Sequence, residues 1–181
     1  TFGSVNLTDP SVGTGPNVFG GFLHDNDAVN LTLPLSAGAF GAVTVRTAGG
    51  TSAPFGVGFT DLDGTAFSGT PADAGEASAN VGQVVAIEGT GLSASTDIVA
   101  RYIDSNGTPI TRLLNPTFVN PQGTRAEFVV PDVFNAASAV NVVGAADAFV
   151  LQIVPTVVSA DVTGTTNTQL RGTGFVEGNG T

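Results

Sequence analysis

Apolar residues recur at every second position along much of this chain. Val29, Leu31, Leu33 and Leu35 alternate with Asn30, Thr32 and Pro34, and Val43 and Val45 alternate with Thr44 and Arg46. The same period appears at Val85 and Ile87, at Phe128 and Val130, at Val140 and Val142, and at Phe149, Leu151 and Ile153. A period of two places one row of side chains in a core and the other in water, so each run predicts a half-buried β-strand. Gly and Pro (25 and 10 residues) punctuate these runs, and valine dominates the large apolar residues, as strands prefer. No stretch carries a 3.6-residue period with caps, and the alanine-rich segment 72–79 is too short and interrupted for a stable helix. Short strands separated by turns predict an all-β fold of antiparallel sandwiches.

Self-similarity adds to this picture. Gln83-Val84-Val85-Ala86-Ile87-Glu88-Gly89-Thr90-Gly91-Leu92 matches the segment from Asn167 to Phe175 around a shared Gly-Thr-Gly followed by an apolar residue. Arg125-Ala126-Glu127-Phe128-Val129-Val130-Pro131 matches Ala28-Val29-Asn30-Leu31-Thr32-Leu33-Pro34, and a similar strand follows each proline, at 139–143 and at 41–45. In one copy the Gly-Thr-Gly element precedes the proline element; in the other the order is reversed. Joining the C-terminal end of one unit to the N-terminal end of another restores the order. Gly172 then lies about 43 positions before Pro34, against about 42 from Gly89 to Pro131. The expected organisation is a complete domain over 80–155, a linker over 59–79, and a second domain split between 156–181 and 1–58. Residues 156–181 would complete 1–58 of the next repeat.

The run Gln169-Leu170-Arg171-Gly172-Thr173-Gly174-Phe175-Val176-Glu177-Gly178, a strand ending in Pro34, and Gly41-Ala42-Val43-Thr44-Val45-Arg46-Thr47-Ala48-Gly49-Gly50-Thr51-Ser52 resemble the IPT/TIG class of immunoglobulin-like domains. More narrowly, they resemble the tandem repeats of giant bacterial surface and extracellular fibre proteins. The middle copy departs from the pattern, with Ala145-Ala146-Asp147-Ala148 in place of Gly-Gly-Thr-Ser. The resemblance implies an extracellular or cell-surface β-sandwich, used as a spacer, adhesive or fibre module, with no catalytic residues. The start, Thr1-Phe2-Gly3-Ser4, has neither Met nor a basic leader, in keeping with a repeat unit of something longer.

Composition removes whole classes of function. The 181 residues carry a net charge of -10 and contain no Cys, Met or Trp. All five basic residues are arginines. Disulfides, thiolate metal sites, thiol nucleophiles and lysine Schiff bases are therefore impossible. So acidic a chain offers no patch for a phosphate backbone, and nucleic acid is not an expected partner. Val, Leu, Ile and Phe are about 29% of the chain, above the roughly 20% that marks disorder, so a core is expected. No apolar run nears the roughly 18 residues of a membrane span.

What remains is sparse chemistry. His24, the single histidine, lies in Leu23-His24-Asp25-Asn26-Asp27 with no Gly-X-Ser-X-Gly elbow anywhere, and reads as a turn residue, not as part of a triad. Asp61-Leu62-Asp63-Gly64 opens like a calcium loop but lacks the later ligands, as do Asp25-Asn26-Asp27 and Asp104-Ser105-Asn106-Gly107. Tight turns favour the same residues. Calcium at Asp61 and Asp63 is the one cofactor left open. Sequons at Asn6, Asn30 and Asn106 are coincidences of composition. With Tyr102 as the single tyrosine, a sugar-stacking platform is poorly supplied; the twelve phenylalanines are expected in the core, with Phe2, Phe19 and Phe22 near the seam. The expected function is a structural repeat of an extracellular bacterial filament or surface protein, its partners being neighbouring copies and not an enzyme's substrate. An adhesin or glycan-binding module is the alternative.

Overall fold

The computed structural model describes residues 41–104, 106–163 and 167–175, with the backbone of Leu23–His24 and Val29–Asn30. In chain order its strands are β1 (Leu23–His24), β2 (Val29–Asn30), β3 (Arg46–Thr47), β4 (Gly50–Thr51), β5 (Gly58–Asp63), β6 (Ala77–Ala79), β7 (Val84–Thr90) and β8 (Ile98–Ile103). There follow β9 (Pro109–Leu114), β10 (Phe118–Val119), β11 (Arg125–Val129), β12 (Ala137–Val142), β13 (Ala148–Ile153), β14 (Thr156–Thr163) and β15 (Asn167–Thr173). The described residues contain no helix, as the period-two pattern predicts, and none therefore that could cross a membrane.

Two sheets form the central sandwich. One has the order β10-β11-β7-β5, the other β6-β13-β12-β8-β9, and all pairings are antiparallel except β6 with β13. A first strand that begins in one sheet and finishes in the other, followed by this strand order, is the topology of an immunoglobulin-type sandwich. The alternating residues meet between the sheets: Val85, Ile87, Ala126, Phe128 and Val130 from one face Ile98, Ala100, Val140, Val142 and Leu151 from the other. Phe59 packs against Phe149 with ring centroids 4.6 Å apart. A side chain buried to this degree stabilises the fold by about 1.5–3 kcal/mol.

The expected linker over 59–79 is corrected. Its first residues form β5, with Phe59 and Leu62 in the core, and its last form β6, which lies beside β13. The sandwich therefore starts at Val57, not at 80. Between β5 and β6 the chain is too rich in Gly, Pro and Asp for a strand, and three amide side chains hold it in place of a ladder. Gln83 accepts from the Phe67 N–H (3.3 Å) and donates to the Thr65 carbonyl (2.6 Å). Asn80 accepts from the Ser68 N–H and donates to the Ser68 and Val154 carbonyls, each at 2.9 Å. Gln152 accepts from the Asp73 N–H (2.8 Å) and donates to the Asp73 carbonyl (2.6 Å). All three amides are buried, so each bond satisfies a group that would otherwise be desolvated without a partner.

The chain enters and leaves this sandwich at opposite ends. Val57 donates to the Gly144 carbonyl at the β12–β13 turn (3.2 Å), whereas Val154, after β13, donates to the Ala79 carbonyl (2.9 Å). β13 runs between these ends.

Candidate functional site

Beyond the sandwich lie three short pieces of sheet: β1 with β2, β3 with β4, and β14 with β15. The last of these repeats the register of the β5–β7 pairing, although β6 lies between β5 and β7 in the chain and nothing described lies between β14 and β15. In β5–β7, Gly58 faces Thr90, Phe59 faces Gly89, and after a register shift Asp61 faces Glu88 and Leu62 faces Ile87. In β14–β15, Thr156 faces Thr173, Val157 faces Gly172, and after the same shift Ser159 faces Arg171 and Ala160 faces Leu170. Thr60 and Val158 are thus the extra residues of equivalent bulges.

Glycine explains why both copies need the Gly-Thr-Gly signature. A Cβ on Gly89 would overlap the Gly58 carbonyl oxygen, and a Cβ on Gly172 would overlap that of Thr156. Gly91 and Gly174 both turn the chain at positive φ, 70° and 73°. The first glycine admits a neighbouring backbone, and the second adopts a conformation that a side chain disfavours.

The surroundings of the two strand pairs differ. Ile87 is fully buried under the opposite sheet, but its counterpart Leu170 is 56% exposed; Phe59 is 1% exposed and its counterpart Val157 60%. Val162 and Phe175 are exposed as well, so an apolar face built for a core stands bare. β15 has β14 as its one ladder partner among the described residues, although its counterpart β7 lies between β5 and β11.

β1 and β2 reproduce another part of the sandwich. Leu23 faces Asn30 and His24 faces Val29; in the sandwich Phe118 faces Glu127 and Val119 faces Ala126. The match of Arg125–Pro131 to Ala28–Pro34 makes Val29 the counterpart of Ala126 and Asn30 that of Glu127, so the two pairings share one register. Similarly, Val43 and Phe55 exchange backbone hydrogen bonds (2.7 and 2.8 Å), and Val140, which follows Pro131 at the spacing of Val43 from Pro34, likewise faces a phenylalanine, Phe149. The sequence repeat marked β2 and β15 but neither β1 nor β14. It missed the β1–β2 pairing because Leu23-His24 shares only an apolar first residue with Phe118-Val119, and because the segments between the paired strands differ in length.

The candidate chemical residues do not converge. Asp61 and Asp63 lie within β5, not in a loop, and Asp61 accepts the N–H of Leu62 (2.9 Å). Beside them Arg125 pairs with Glu88, with Glu127 at 3.1 Å and with Asp63 at 3.7 Å, so a guanidinium already stands among these carboxylates. Its hydrogen bonds to Glu127 and then Glu88 raise the Arg125 pKa above its ordinary value. The described residues contain no cluster of three or more metal-ligating side chains. His24 lies on strand β1, not in the turn expected for it. Asp104 closes a turn by accepting from the N–H groups of Asn106 and Thr108 (both 2.8 Å). The Thr108 bond is the main reason its carboxyl titrates below the usual range. Tyr102 packs on Phe134, centroid to centroid 5.2 Å. The expectation that the phenylalanines are core residues holds for Phe59, Phe128 and Phe134, whereas Phe55, Phe118 and Phe175 are exposed and Phe67 is 88% exposed. Asn6, Phe2, Phe19 and Phe22 lie outside the described residues.

No protein-family model, curated protein or solved structure matches this chain.

Proposed function

We propose that this chain is a structural repeat of an extracellular bacterial filament or giant surface protein, its copies joined head to tail through β-sandwich domains. One observation carries the reading. The strand pairing that opens the central sandwich recurs after it, in the same register and with the same bulge and glycines, but with Leu170 and Val157 exposed where Ile87 and Phe59 are buried. Val157 and Leu170 stand in water where their counterparts Phe59 and Ile87 are buried, and with Val162 and Phe175 they supply an apolar surface that suits a partner. The opposite placement of Val57 and Val154 on the sandwich supports a linear string, because each module hands the chain on at the far end. The resemblance to IPT/TIG repeats supports the extracellular bacterial setting. Such a module acts by reach and mechanical continuity, and the scattered positions of His24, Asp61, Asp63 and Tyr102 accord with that role.

Electron microscopy of concentrated full-length units, and of two units fused in tandem, tests the proposal. Rods with an axial period of two sandwiches per unit are expected. Compact particles that remain single at every concentration, with a tandem no longer than one unit, would overturn it.

A further inference from the structure

Resting on the repeat reading above, we propose that β15 of one copy takes β2 of a second copy as its missing neighbour. The register is that of β7 with β11, so that Leu170 faces Val29 and Gln169 faces Asn30. The central sheet supplies the template. There β7 pairs with β11 so that Ile87 faces Ala126, Ala86 faces Glu127 and Val85 faces Phe128. β15 matches β7 through its own pairing with β14, and β2 matches β11 through its own pairing with β1. Two independent ladders therefore set the same register. Adding the missing ladder gives the sheet order β1-β2-β15-β14, the counterpart of β10-β11-β7-β5.

The side chains fit this addition. By the sequence match alone, Val29, Leu31 and Leu33 correspond to Ala126, Phe128 and Val130, each of which is buried in the central core. In the proposed register the period of two assigns the Val29 position to the face of Leu170. The charges have been redistributed accordingly. In the central sheet Arg125 of β11 neutralises Glu88 of β7 and Asp63 of β5. In the second set Arg171 already lies on β15, where it pairs with Asp161 at 3.5 Å, and Ala28 replaces the arginine on the incoming strand. The hairpin is electrostatically complete, and what it lacks is a backbone ladder and a core. An added strand supplies both.

The occupant is a second copy because of where the chain leaves the sandwich. β14 starts beside Val154 at the Ala79 end, whereas Val43 and Phe55 precede Val57 at the Gly144 end. For its own β2 to reach β15, the stretch from Asn30 to Val43 would have to run nearly straight along the whole sandwich. In the central domain the corresponding stretch, Glu127 to Val140, passes from one sheet to the other. Both cannot be done with the same residues.

The absence of cysteine makes the register directly measurable. Opposed residues in an antiparallel pair have Cα atoms about 4.5–5.5 Å apart, within disulfide reach, whereas a shift of one residue turns the side chains to opposite faces. A full-length Gln169→Cys unit is mixed with a full-length Asn30→Cys unit under mild oxidation, and in parallel with a Val29→Cys unit. The matched pair is expected to give at least about tenfold more cross-linked dimer than the mismatched pair, since only the first satisfies disulfide geometry. The same variants are placed in tandem fusions, with Gln169→Cys in the first unit and the second cysteine in the next. Equal or reversed yields would overturn the register, and an internal cross-link in a monomeric Gln169→Cys/Asn30→Cys unit would overturn the second copy as occupant. No cross-link in mixture or tandem would overturn the strand addition. If the tandem then still forms an extended two-unit rod, the head-to-tail reading survives; a tandem no longer than one unit removes both.

Discussion

Where β5 pairs with β7, Leu62 faces Ile87, and both lie under a second sheet; in β14–β15 Ala160 faces Leu170 in the same register, and Leu170 is largely in water. The bulge, the carbonyl that abuts the first glycine and the positive φ of the second are common to both. These local features therefore do not depend on the sandwich. Bulge and glycine chemistry sets the register of either pairing, whereas burial depends on partners that β5 and β7 have and that β14 and β15 do not have among the described residues. Even the pair at the open end differs in a telling way: Thr156 and Thr173 share a hydroxyl hydrogen bond of 2.8 Å, where the core copy has Gly58 beside Thr90. A threonine at position 58 would bring a Cβ against the Thr90 side chain.

The largest difference is expected at the paired core positions. Ile87→Ala should lower the unfolding free energy of the isolated unit by about 2–5 kcal/mol, as large-to-small changes in a closed core do. Leu170→Ala should change it by less than about 0.5 kcal/mol, as surface substitutions do. Chemical denaturation of both variants measures this, and an equal loss at both sites would mean that Leu170 is already covered. In joined copies the Leu170 effect should rise toward that of Ile87.

Valine at the first glycine of each signature gives the next largest effect. Gly89→Val sets a side chain against the Gly58 carbonyl inside the sheet and should cost about 3 kcal/mol or more of global stability. Gly172→Val meets the same obstacle, but it should open only β14–β15. Hydrogen exchange would then show faster exchange in β15 amides and an unchanged core. Global unfolding by Gly172→Val would show that the terminal hairpin supports the sandwich.

The amide pins fasten the approach to β6 and have no described equivalent beside β14. Asn80→Ala leaves the Val154 carbonyl and the Ser68 backbone without their partner and should cost about 1–3 kcal/mol. Proteolysis should then cut within 65–75 before it cuts elsewhere in the sandwich. A variant with wild-type stability and no new cleavage site would mean that the segment is held by something else.

Acidification should produce the smallest change. Asp104 titrates below its ordinary value because the folded turn donates the Thr108 and Asn106 N–H groups to its carboxylate. A lowered folded-state value means that the stabilisation is complete above the unfolded-state value and is lost as the pH falls through the folded one. The Thr108 amide should therefore lose protection at acid pH, and Asp104→Ala should remove that step. Amide exchange followed against pH checks both; a protection profile unchanged by the substitution would exclude the carboxylate as its source.

The sequence by itself determined the period-two strands, the repeated Gly-Thr-Gly signature and the class of the fold. Each rests on local geometry: a strand shows one face per two residues, and a bulge with a close backbone needs glycine. The same alternation marks Val85 and Ile87, buried, and Val43 and Val45, of which Val45 is exposed, so the pattern could not say which faces find a partner. Nor could it show that Phe59 belongs to the core. Gly56, Gly58 and Gly64 around it, with Pro71 and the acidic residues beyond, have the composition of a linker, and only pairing with β7 makes a strand of them. Asn80, Gln83 and Gln152 were equally hidden, because a buried amide is recognisable only when the backbone that it serves is in place. Tertiary structure decided these points because burial and long-range pairing join residues far apart in the chain. Glycine's conformational freedom and the pleat of a strand act within a few residues, and for that reason they could be read directly.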